Sequence, residues 1–185
     1  MVSASIVWLN YNSANFMDIV LRSLESFLNL DFDDYELIIV DNASTDGSFE
    51  RIKRFLEERR VSDVRVRIIR NDKNLGYAGG MNVGWEARDP DSKYVAFVNN
   101  DLVATPDSLA KLIEYAESNE RIAATSGLIY YGDGKTIYAA GWAVDNILTS
   151  IGICAGRGLT DCATFNKPYP VTYADGSYMV VKVNA

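Results

Sequence analysis

Short apolar runs alternate with amphipathic stretches from the amino end to about residue 120. Runs rich in β-branched residues predict strands at residues 5–9, 35–40, 64–70 and 94–98. Between them, apolar residues recur every three or four positions, which is typical of helices with one face against a core. The apolar faces of three such helices are Met17, Val20, Leu21, Leu24 and Leu28; Phe49, Ile52, Phe55 and Leu56; and Leu109, Leu112, Ile113 and Ala116. This alternation predicts an α/β fold, with a doubly wound, mostly parallel sheet flanked by helices.

The remainder of the chain has a less regular pattern. Its predicted elements are a strand at 122–131, a hairpin turn at 132–135, strand character at 136–144 and again at 169–183, and an irregular segment at 146–167 that we expect to be a mobile loop. Strands joined by a hairpin are antiparallel, so the sheet is expected to become mixed near its carboxyl end. The run at 64–70 alternates apolar and cationic residues, which indicates a strand at or near a sheet edge.

Composition narrows the function classes. A chain of 185 residues with 48% hydrophobic content is expected to form one domain, or a large fragment of one, with a sizeable core. The net charge of −7 and the lack of a basic run argue against a nucleic-acid-binding protein. There is no histidine, so a zinc site is disfavoured and a Ser-His or Cys-His nucleophile is excluded. Cys154 and Cys162 are not in a CxxC motif, which favours a reducing, cytoplasmic setting.

No apolar run reaches membrane-spanning length, and the N-terminus lacks the charge pattern of a signal peptide. Association with the inner face of a membrane is compatible with this pattern. Asn42-Ala43-Ser44 is formally a glycosylation sequon, but it directly follows a predicted buried strand. We therefore interpret the sequon as accidental.

Two carboxylates follow predicted strands at the same edge of the sheet. Asp41 closes the strand at 35–40, and Asp101 follows the strand at 94–98 after two asparagines. Ligands of open α/β sheets bind at the carboxyl ends of the strands, and Mg²⁺ or Mn²⁺ prefers oxygen ligands. The other interpretation is that Asn and Asp are ordinary turn residues here. Asp41 has no obvious structural role in the sequence, and its position favours the ligand-binding interpretation.

Several polar residues near these carboxylates predict helix starts instead. Ser44, Thr45 or Asp46 is expected to cap the second helix. Thr105-Pro106 matches an N-cap followed by proline in the first helical turn, and it predicts the start of the fourth helix.

A glycine-rich segment separates the two carboxylates. Gly76, Gly79, Gly80 and Gly84 lie in one loop and the start of a helix, although glycine costs about 1 kcal/mol relative to alanine in a helix. Such crowding indicates close approach of the backbone, either to a phosphate-bearing ligand or to a neighbouring strand. The spacing is not G-x-G-x-x-G and no Walker lysine follows, so dinucleotide and P-loop folds are disfavoured.

Four motifs in order carry a resemblance to a known family. The segments "SIVWLNYN", "IIVDNASTDGS", "NLGYAGGMNVG" and "FVNNDLVATPDSL" together resemble the family 2 glycosyltransferases of the GT-A fold. The glycine-rich motif is similar to the rhamnosyltransferase-like branch. The resemblance implies a Rossmann-like nucleotide-sugar-binding fold in one domain, residues 1–185. Its nucleotide-binding part covers about residues 3–130, and part of an acceptor side covers about residues 131–185.

The resemblance also implies roles for individual residues. The D-x-D-type motif of the family reads Asn99-Asn100-Asp101, so Asp101 is the implied ligand of Mg²⁺ or Mn²⁺. The two neutral asparagines add little charge, so metal binding is expected to depend on the nucleotide diphosphate. The implied nucleotide-binding residues are Tyr11, Asn12, Asp41, Asn74, Gly79 and Asn100.

The catalytic base is the least defined part of the predicted site. The family supplies it from an acidic motif after the strand that here reads "DGSYMVVK", and no such motif precedes Ala185. Asp175 is the only carboxylate in that last segment, with a turn role as the alternative. We therefore expect the chain to be truncated before the base.

The predicted function is inverting, metal-dependent transfer of a sugar from a UDP- or dTDP-sugar to a glycan or lipid-linked saccharide. Such an activity belongs to polysaccharide biosynthesis. One alternative is a nucleotide-binding module without catalysis, which the neutral Asn99-Asn100 pair and the missing base would fit. A nucleotidyltransferase is a more distant alternative, because the first strand is not followed by a basic glycine-rich loop.

Overall fold

A central sheet of six strands organises the computed structural model, which describes residues 3–59, 64–144, 152–160, 165 and 167–184. The strands are β1 (Ala4–Asn10), β2 (Tyr35–Asp41), β3 (Arg65–Arg70), β4 (Tyr94–Asn99), β5 (Ala124–Ser126), β6 (Ile129–Tyr130), β7 (Ile137–Ala139), β8 (Trp142–Val144), β9 (Gly152–Cys154) and β10 (Tyr178–Lys182). The helices are α1 (Met17–Leu28), α2 (Ser48–Arg59), α3 (Gly76–Ala87) and α4 (Ser108–Glu117), and a short 3-10 turn (Ala14–Phe16) precedes α1.

The sheet is mostly parallel and mixed at one side. Its strand order is β3-β2-β1-β4-β10-β5. The first four strands in this order are parallel, whereas β10 runs antiparallel to both β4 and β5. The predicted fold class is therefore confirmed, including the mixed carboxyl end and the position of β3 at an edge. In the register of β1, Asn10 lies opposite Asp41 and Leu9 lies opposite Asn99, so the carboxyl ends of β1, β2 and β4 form one edge.

Both faces of the sheet are covered, which explains why the strand sequences are continuously apolar. Alternate side chains of β1 point to opposite faces. Trp8 belongs to the core cluster shared with α1, α2 and α4, whereas Val7 packs in a second cluster with Met81 of α3. Helices therefore lie on both sides of the sheet, as a doubly wound fold requires.

The glycines of α3 permit close packing on β1. An ideal Cβ on Gly80 would lie 2.5 Å from Cδ1 of Leu9, and one on Gly84 would lie 2.2 Å from Cγ1 of Val7. Real Cβ atoms do not approach other carbons so closely, so a larger residue at either position would require Leu9 or Val7 to shift. Of the two interpretations of the glycine-rich segment, the neighbouring strand accounts for Gly80 and Gly84.

The predicted carboxyl-terminal elements differ from the observed ones. The predicted strand at 122–131 is two strands, because β5 joins the central sheet and β6 pairs with β7. The predicted hairpin turn at 132–135 is confirmed, with Tyr131 N donating to Thr136 O at 2.8 Å. Strand structure at 169–183 is confined to β10, apart from an isolated bridge at Tyr173. Part of the predicted irregular segment forms β9, and residues 145–151, 161–164 and 166 lie outside the described residues.

The start of α4 also differs from the prediction. The N-cap is Asp107, two residues later than predicted, and its side chain makes no capping hydrogen bond. Thr105 instead donates its hydroxyl to Oδ1 of Asp107 at 2.9 Å. Among the described residues, no helix combines the length and apolar character needed to cross a bilayer.

Candidate functional site

A cleft of about 590 Å³ opens at the carboxyl edge of the sheet, between the start of α1 and the start of α3. Strand ends, the 3-10 turn and the glycine-rich segment all contribute to it. The residues that line it are Leu9, Tyr11, Asn12, Ser13, Phe16, Ile19, Val20, Asn42, Asn74, Gly76, Tyr77, Asn99, Asn100 and Asp101. The cleft therefore lies where open α/β sheets bind ligands.

The cleft brings together five of the residues that the sequence singled out. These are Tyr11, Asn12, Asn74, Asn100 and Asp101. Three others, Asp41, Gly79 and Asp175, do not line it. Gly79 lies in the first turn of α3, where an ideal Cβ would come within 2.7 Å of Cβ of Leu75.

Asp41 is fully buried at the end of β2. Its Oδ1 accepts a hydrogen bond from Nδ2 of Asn10 at 2.8 Å, and its Oδ2 accepts one from the backbone N–H of Ser44 at 3.0 Å. Nε of Arg70 lies 3.4 Å from Oδ2. The interpretation that Asp41 lacks a structural role is therefore wrong, because it links β1, β2, β3 and the turn after β2. Its contact with a nucleotide stays a prediction.

The turn after β2 holds the turn after β1. Oγ of Ser44 accepts hydrogen bonds from the backbone N–H of Asn12 and from Nδ2 of Asn10. Asp46 accepts one from the N–H of Ala14 at 2.7 Å and one from the N–H of Ser48 at 3.0 Å. Asp46 therefore accepts a hydrogen bond at the start of α2, as predicted, and a second one at the start of the 3-10 turn. These contacts support the exposed Tyr11-Asn12 pair at the cleft.

Asp101 lies in the turn that follows β4, and its side chain is exposed in the cleft. Among the described residues, no hydrogen bond or ion pair to its carboxylate is found, and no cluster of three or more His, Cys, Asp or Glu residues could hold a metal. Asn100 donates from Nδ2 to Oδ1 of Asn10 at 3.3 Å, and Asn99 N donates to Ser177 O at 3.0 Å. The turn is anchored on both sides, and Asp101 presents a single negative charge to the cleft.

Asn42 connects the end of β2 to the glycine-rich segment. Its Nδ2 donates to Oδ1 of Asn74 at 2.8 Å and to O of Gly76 at 3.0 Å. Asn42 is only 2% exposed. Because its amide is buried and hydrogen-bonded, the sequon at Asn42 is not accessible for glycosylation in the folded chain. Gly76 has φ +72°, a left-handed conformation that favours glycine.

Three exposed aromatic side chains surround the cleft: Tyr11, Phe16 and Tyr77, with exposures of 46%, 67% and 52%. The hydroxyl of Tyr77 donates to O of Gly176 at 3.1 Å, which joins the cleft wall to the turn before β10. Burial raises the pKa of this hydroxyl above its ordinary value, and Tyr173 and Asp175 raise it further. The sequence pattern did not single out Phe16 or Tyr77, although both are aromatic residues in segments that break the apolar periodicity.

Asp175 is buried in the turn before β10, with 5% exposure. Its Oδ2 accepts a hydrogen bond from Nε1 of Trp142 at 2.7 Å, and its Oδ1 accepts one from the N–H of Ser177 at 2.8 Å. Burial raises the pKa of this carboxyl, but the hydrogen bonds from Trp142 and Ser177 lower it more, so the net pKa lies below its ordinary value. The turn role predicted as an alternative is observed. The role of Asp175 as catalytic base stays a prediction.

Sequence comparison relates this chain to known glycosyltransferases. The sequence profile described as "Glycosyl transferase family 2" matches residues 5–182. An uncharacterised glycosyltransferase of Haemophilus influenzae is 31% identical over 120 residues, covering 65% of this chain and 34% of the relative. The succinoglycan biosynthesis protein ExoO of Rhizobium meliloti is 32% identical over 108 residues, covering 58% of this chain and 28% of the relative. The rhamnosyltransferase-like branch stays a prediction.

Two solved structures share the fold. The mannosyltransferase PcManGT from Pyrobaculum calidifontis, in complex with GDP-Man and Mn²⁺, superimposes with a TM-score of 0.66 at 16% identity, covering 98% of this chain and 44% of that protein. S. aureus TarS residues 1–349 in complex with UDP-GlcNAc gives a TM-score of 0.57 at 18% identity, covering 71% and 36%. This chain therefore spans less than half the length of each of these relatives and neighbours.

Proposed function

The chain belongs to glycosyltransferase family 2, and from this membership we propose that it transfers a sugar from a UDP- or dTDP-sugar to a glycan or lipid-linked saccharide. The GDP-Man and UDP-GlcNAc complexes of the two neighbours support a nucleotide sugar as the donor class and add GDP-sugars to the candidates. In this proposal, residues of about 3–130 bind the donor, and residues from about 131 onward contribute to the acceptor side.

The observation that carries the proposal is the Asp101 carboxylate in the cleft. It is exposed, it lies at the carboxyl edge of the sheet, and the described residues offer it no cationic or hydrogen-bonding partner. A structural carboxylate is normally paired within the protein, as Asp41 and Asp175 are. An unpaired carboxylate beside neutral amides is suited to a ligand that brings its own positive charge.

Mg²⁺ or Mn²⁺ fits this arrangement. Mg²⁺ keeps several waters and is commonly held by one or two protein carboxylates together with substrate phosphates, so a single aspartate is sufficient. Asp101 would be the protein ligand, and the amides of Asn99 and Asn100 are the neighbouring polar groups. When bound, such a cation stabilises the charge of a diphosphate leaving group as a Lewis acid.

The other cleft residues suit the remaining parts of a nucleotide. The exposed ring of Tyr11 offers a face on which a nucleobase can stack, and the amides of Asn12, Asn74 and Asn100 can donate hydrogen bonds to ribose or phosphate oxygens. Asp41 reaches a nucleotide in this proposal only if the base approaches the buried end of β2. In this proposal, the backbone of Gly79 in the first turn of α3 lies near the nucleotide.

Inverting transfer needs a carboxylate that accepts the proton of the acceptor hydroxyl. Asp175 is the candidate base among the residues of the last segment. Its lowered pKa and its two hydrogen bonds reduce its basicity, because an effective general base has a pKa near the working pH. A turn role for Asp175 is therefore better supported than a role as base. The second candidate function is a nucleotide-sugar-binding module that lacks catalysis, which the neutral Asn99-Asn100 pair would fit.

The proposed donor site is tested by calorimetric titration of Mn²⁺ into the protein, with and without UDP, dTDP or GDP, after subtraction of the same titration into each nucleotide without protein. We expect Mn²⁺ to bind at least about tenfold more tightly in the presence of one of these nucleotides, because the diphosphate supplies the remaining oxygens. Equal affinity in the presence and absence of all three would sink the proposal. A thermal-shift panel with the same nucleotides identifies the preferred nucleobase, since a ligand that binds only the folded state raises the melting temperature.

Catalysis is tested separately. Incubation with a radiolabelled nucleotide sugar and Mn²⁺ should release nucleoside diphosphate if a base is present, by transfer to an acceptor or by hydrolysis. Donor binding without any release would select the non-catalytic module for this chain.

A further inference from the structure

We propose that Asn42 is a positioning residue that sets the conformation of the cleft wall formed by residues 71–77 and fixes the side-chain orientation of Asn74 toward a phosphate or ribose oxygen. The identity of the ligand rests on the proposed function. The effect on the wall itself does not.

The side-chain amide of Asn42 makes four hydrogen bonds to this wall. Its Nδ2 donates to Oδ1 of Asn74 and to O of Gly76. Its Oδ1 accepts from Nδ2 of Asn71 at 3.0 Å and from the backbone N–H of Leu75 at 3.0 Å. One buried side chain thus contacts four residues of a segment that is mostly exposed.

These four bonds use the full hydrogen-bonding capacity of the amide, which has two N–H groups and two oxygen lone pairs. Although Asn42 borders the cleft, it has no donor or acceptor left for a ligand. Its backbone N–H donates to O of Asn10 at 2.8 Å, so the wall is fixed to β1 as well as to β2. Any influence of Asn42 on ligand binding therefore passes through residues 71–77.

Asn74 is the residue through which this influence reaches the cleft. Its Oδ1 accepts hydrogen bonds from Nδ2 of Asn42 and from the backbone N–H of Gly76, both at 2.8 Å. With its oxygen occupied on the protein side, Asn74 presents its NH₂ group, for which the described residues provide no acceptor. The orientation set by Asn42 makes Asn74 a hydrogen-bond donor in the cleft, which suits oxygen atoms of a nucleotide and disfavours a ligand that presents donors.

Replacement of Asn42 by aspartate tests this directly. The shape is unchanged, but two donors become acceptors that face the oxygens of Asn74 and Gly76. We expect Asn74 to rotate its NH₂ toward the new carboxylate and to present its oxygen to the cleft. The affinity for UDP with Mn²⁺, measured by calorimetry, should fall at least about tenfold in Asn42→Asp. The reason is that the negatively charged diphosphate would lose the NH₂ donor of Asn74 and face its oxygen instead. Asn42→Ala should lose affinity to a smaller extent.

Ser5→Ala is the matched control. Ser5 is fully buried in β1, and its hydroxyl donates to Oε1 of Glu36 at 2.8 Å at the opposite end of the sheet. We expect Ser5→Ala to lower the melting temperature and leave UDP affinity unchanged. An equal loss of affinity in Ser5→Ala and Asn42→Asp would overturn the proposal. So would wild-type affinity in Asn42→Asp.

A double variant separates positioning from general damage. If Asn42 acts through Asn74, Asn42→Asp combined with Asn74→Ala should bind UDP as Asn74→Ala alone does. Additive losses would show that Asn42 acts elsewhere and would overturn the assignment.

Hydrogen exchange provides a measurement that needs no ligand. In Asn42→Ala, the amides of Leu75 and Gly76 should exchange at least about tenfold faster than in wild type, whereas those in Ser5→Ala should not. If wild-type protein binds none of the nucleotides, the proposed function fails, and this exchange measurement still decides the positioning role. Unchanged exchange in Asn42→Ala would overturn that role.

Discussion

The ends of β2 and β4 carry the same chemical group at the same edge of the sheet, yet the two carboxylates have opposite surroundings. Asp41 is fully buried and accepts hydrogen bonds from Asn10 and Ser44, with Arg70 nearby. Asp101 is exposed in the cleft, and its carboxylate lacks a partner among the described residues.

The difference follows from where each residue lies relative to its strand. Asp41 is the last residue of β2 and is in register with Asn10, so its side chain is covered by the turn that leads into α2. Asp101 comes two residues after the end of β4, where the chain has left the ladder. A position at the carboxyl edge therefore does not by itself make a carboxylate a ligand. Burial and internal partners separate a structural carboxylate from one that is available.

The largest expected effect is on stability, from Asp41→Ala. Removing the carboxylate leaves the buried N–H of Ser44 without its acceptor, takes one acceptor from Nδ2 of Asn10 and removes one of the ion pairs of Arg70. We therefore expect a loss of about 3 kcal/mol in the free energy of unfolding. Urea denaturation measures this loss. An unfolding midpoint equal to that of wild type would show that Asp41 does not stabilise the fold, which would contradict its structural role.

The second effect is on ligand binding, from Asp101→Asn. The change removes the charge and keeps the shape of an exposed side chain, so stability should stay within about 0.5 kcal/mol of wild type. The affinity for UDP in the presence of Mn²⁺ should fall at least about tenfold, because the metal loses its protein ligand. Without metal, the affinity should be nearly unchanged. A similar loss with and without Mn²⁺ would show that Asp101 does not act through a cation.

The smallest effect concerns Asp175, which resembles Asp41 in burial. Trp142→Phe removes one hydrogen bond to its carboxylate, and we expect it to destabilise the fold by about 1 kcal/mol at pH 7. The folded-state pKa of Asp175 lies below its unfolded value, so this stabilisation is present above pH of about 4 and is lost as pH falls through the folded-state pKa.

The stability difference between Trp142→Phe and wild type should therefore shrink on acidification below pH of about 4. Urea denaturation at a series of pH values measures the trend. A difference that stays constant down to pH of about 2 would show that the substitution acts through packing, and that the carboxylate of Asp175 gains nothing from Trp142.

The strands and helices of the first 120 residues were predictable because their patterns are local. The apolar runs of β1, β2 and β4 have no polar face, as expected for parallel strands covered on both sides. The division of residues 122–131 into β5 and β6 was not predicted, although Thr125, Ser126 and Gly127 interrupt the apolar run. It depends on pairing, because β5 pairs with the distant β10 and β6 pairs with the nearby β7.

The sequence predicted which residues are candidates for the site, but it did not show which of their side chains are available. Tyr11, Asn12, Asn74, Asn100 and Asp101 meet in one cleft because strand ends and the turns after them converge at one edge of a parallel sheet. The same reasoning also selected Asp41, and it missed Asn42 beside it. A rule about strand ends cannot assign different roles to adjacent residues such as Asp41 and Asn42. Their hydrogen-bond partners in the structure do distinguish the two roles.

The sequence by itself determined the alternation of strands and helices, the parallel sheet and the edge at which the cleft lies. These properties follow from the spacing of apolar residues, which each segment carries on its own. Only the tertiary structure decided which polar side chains are available at that edge. Asp41 is occupied by Asn10 from β1 and Arg70 from β3, and Asn42 by the segment before α3. Asp101 stays available because no such partner from the described residues reaches its carboxylate. Availability of this kind depends on contacts between segments that are distant in the chain.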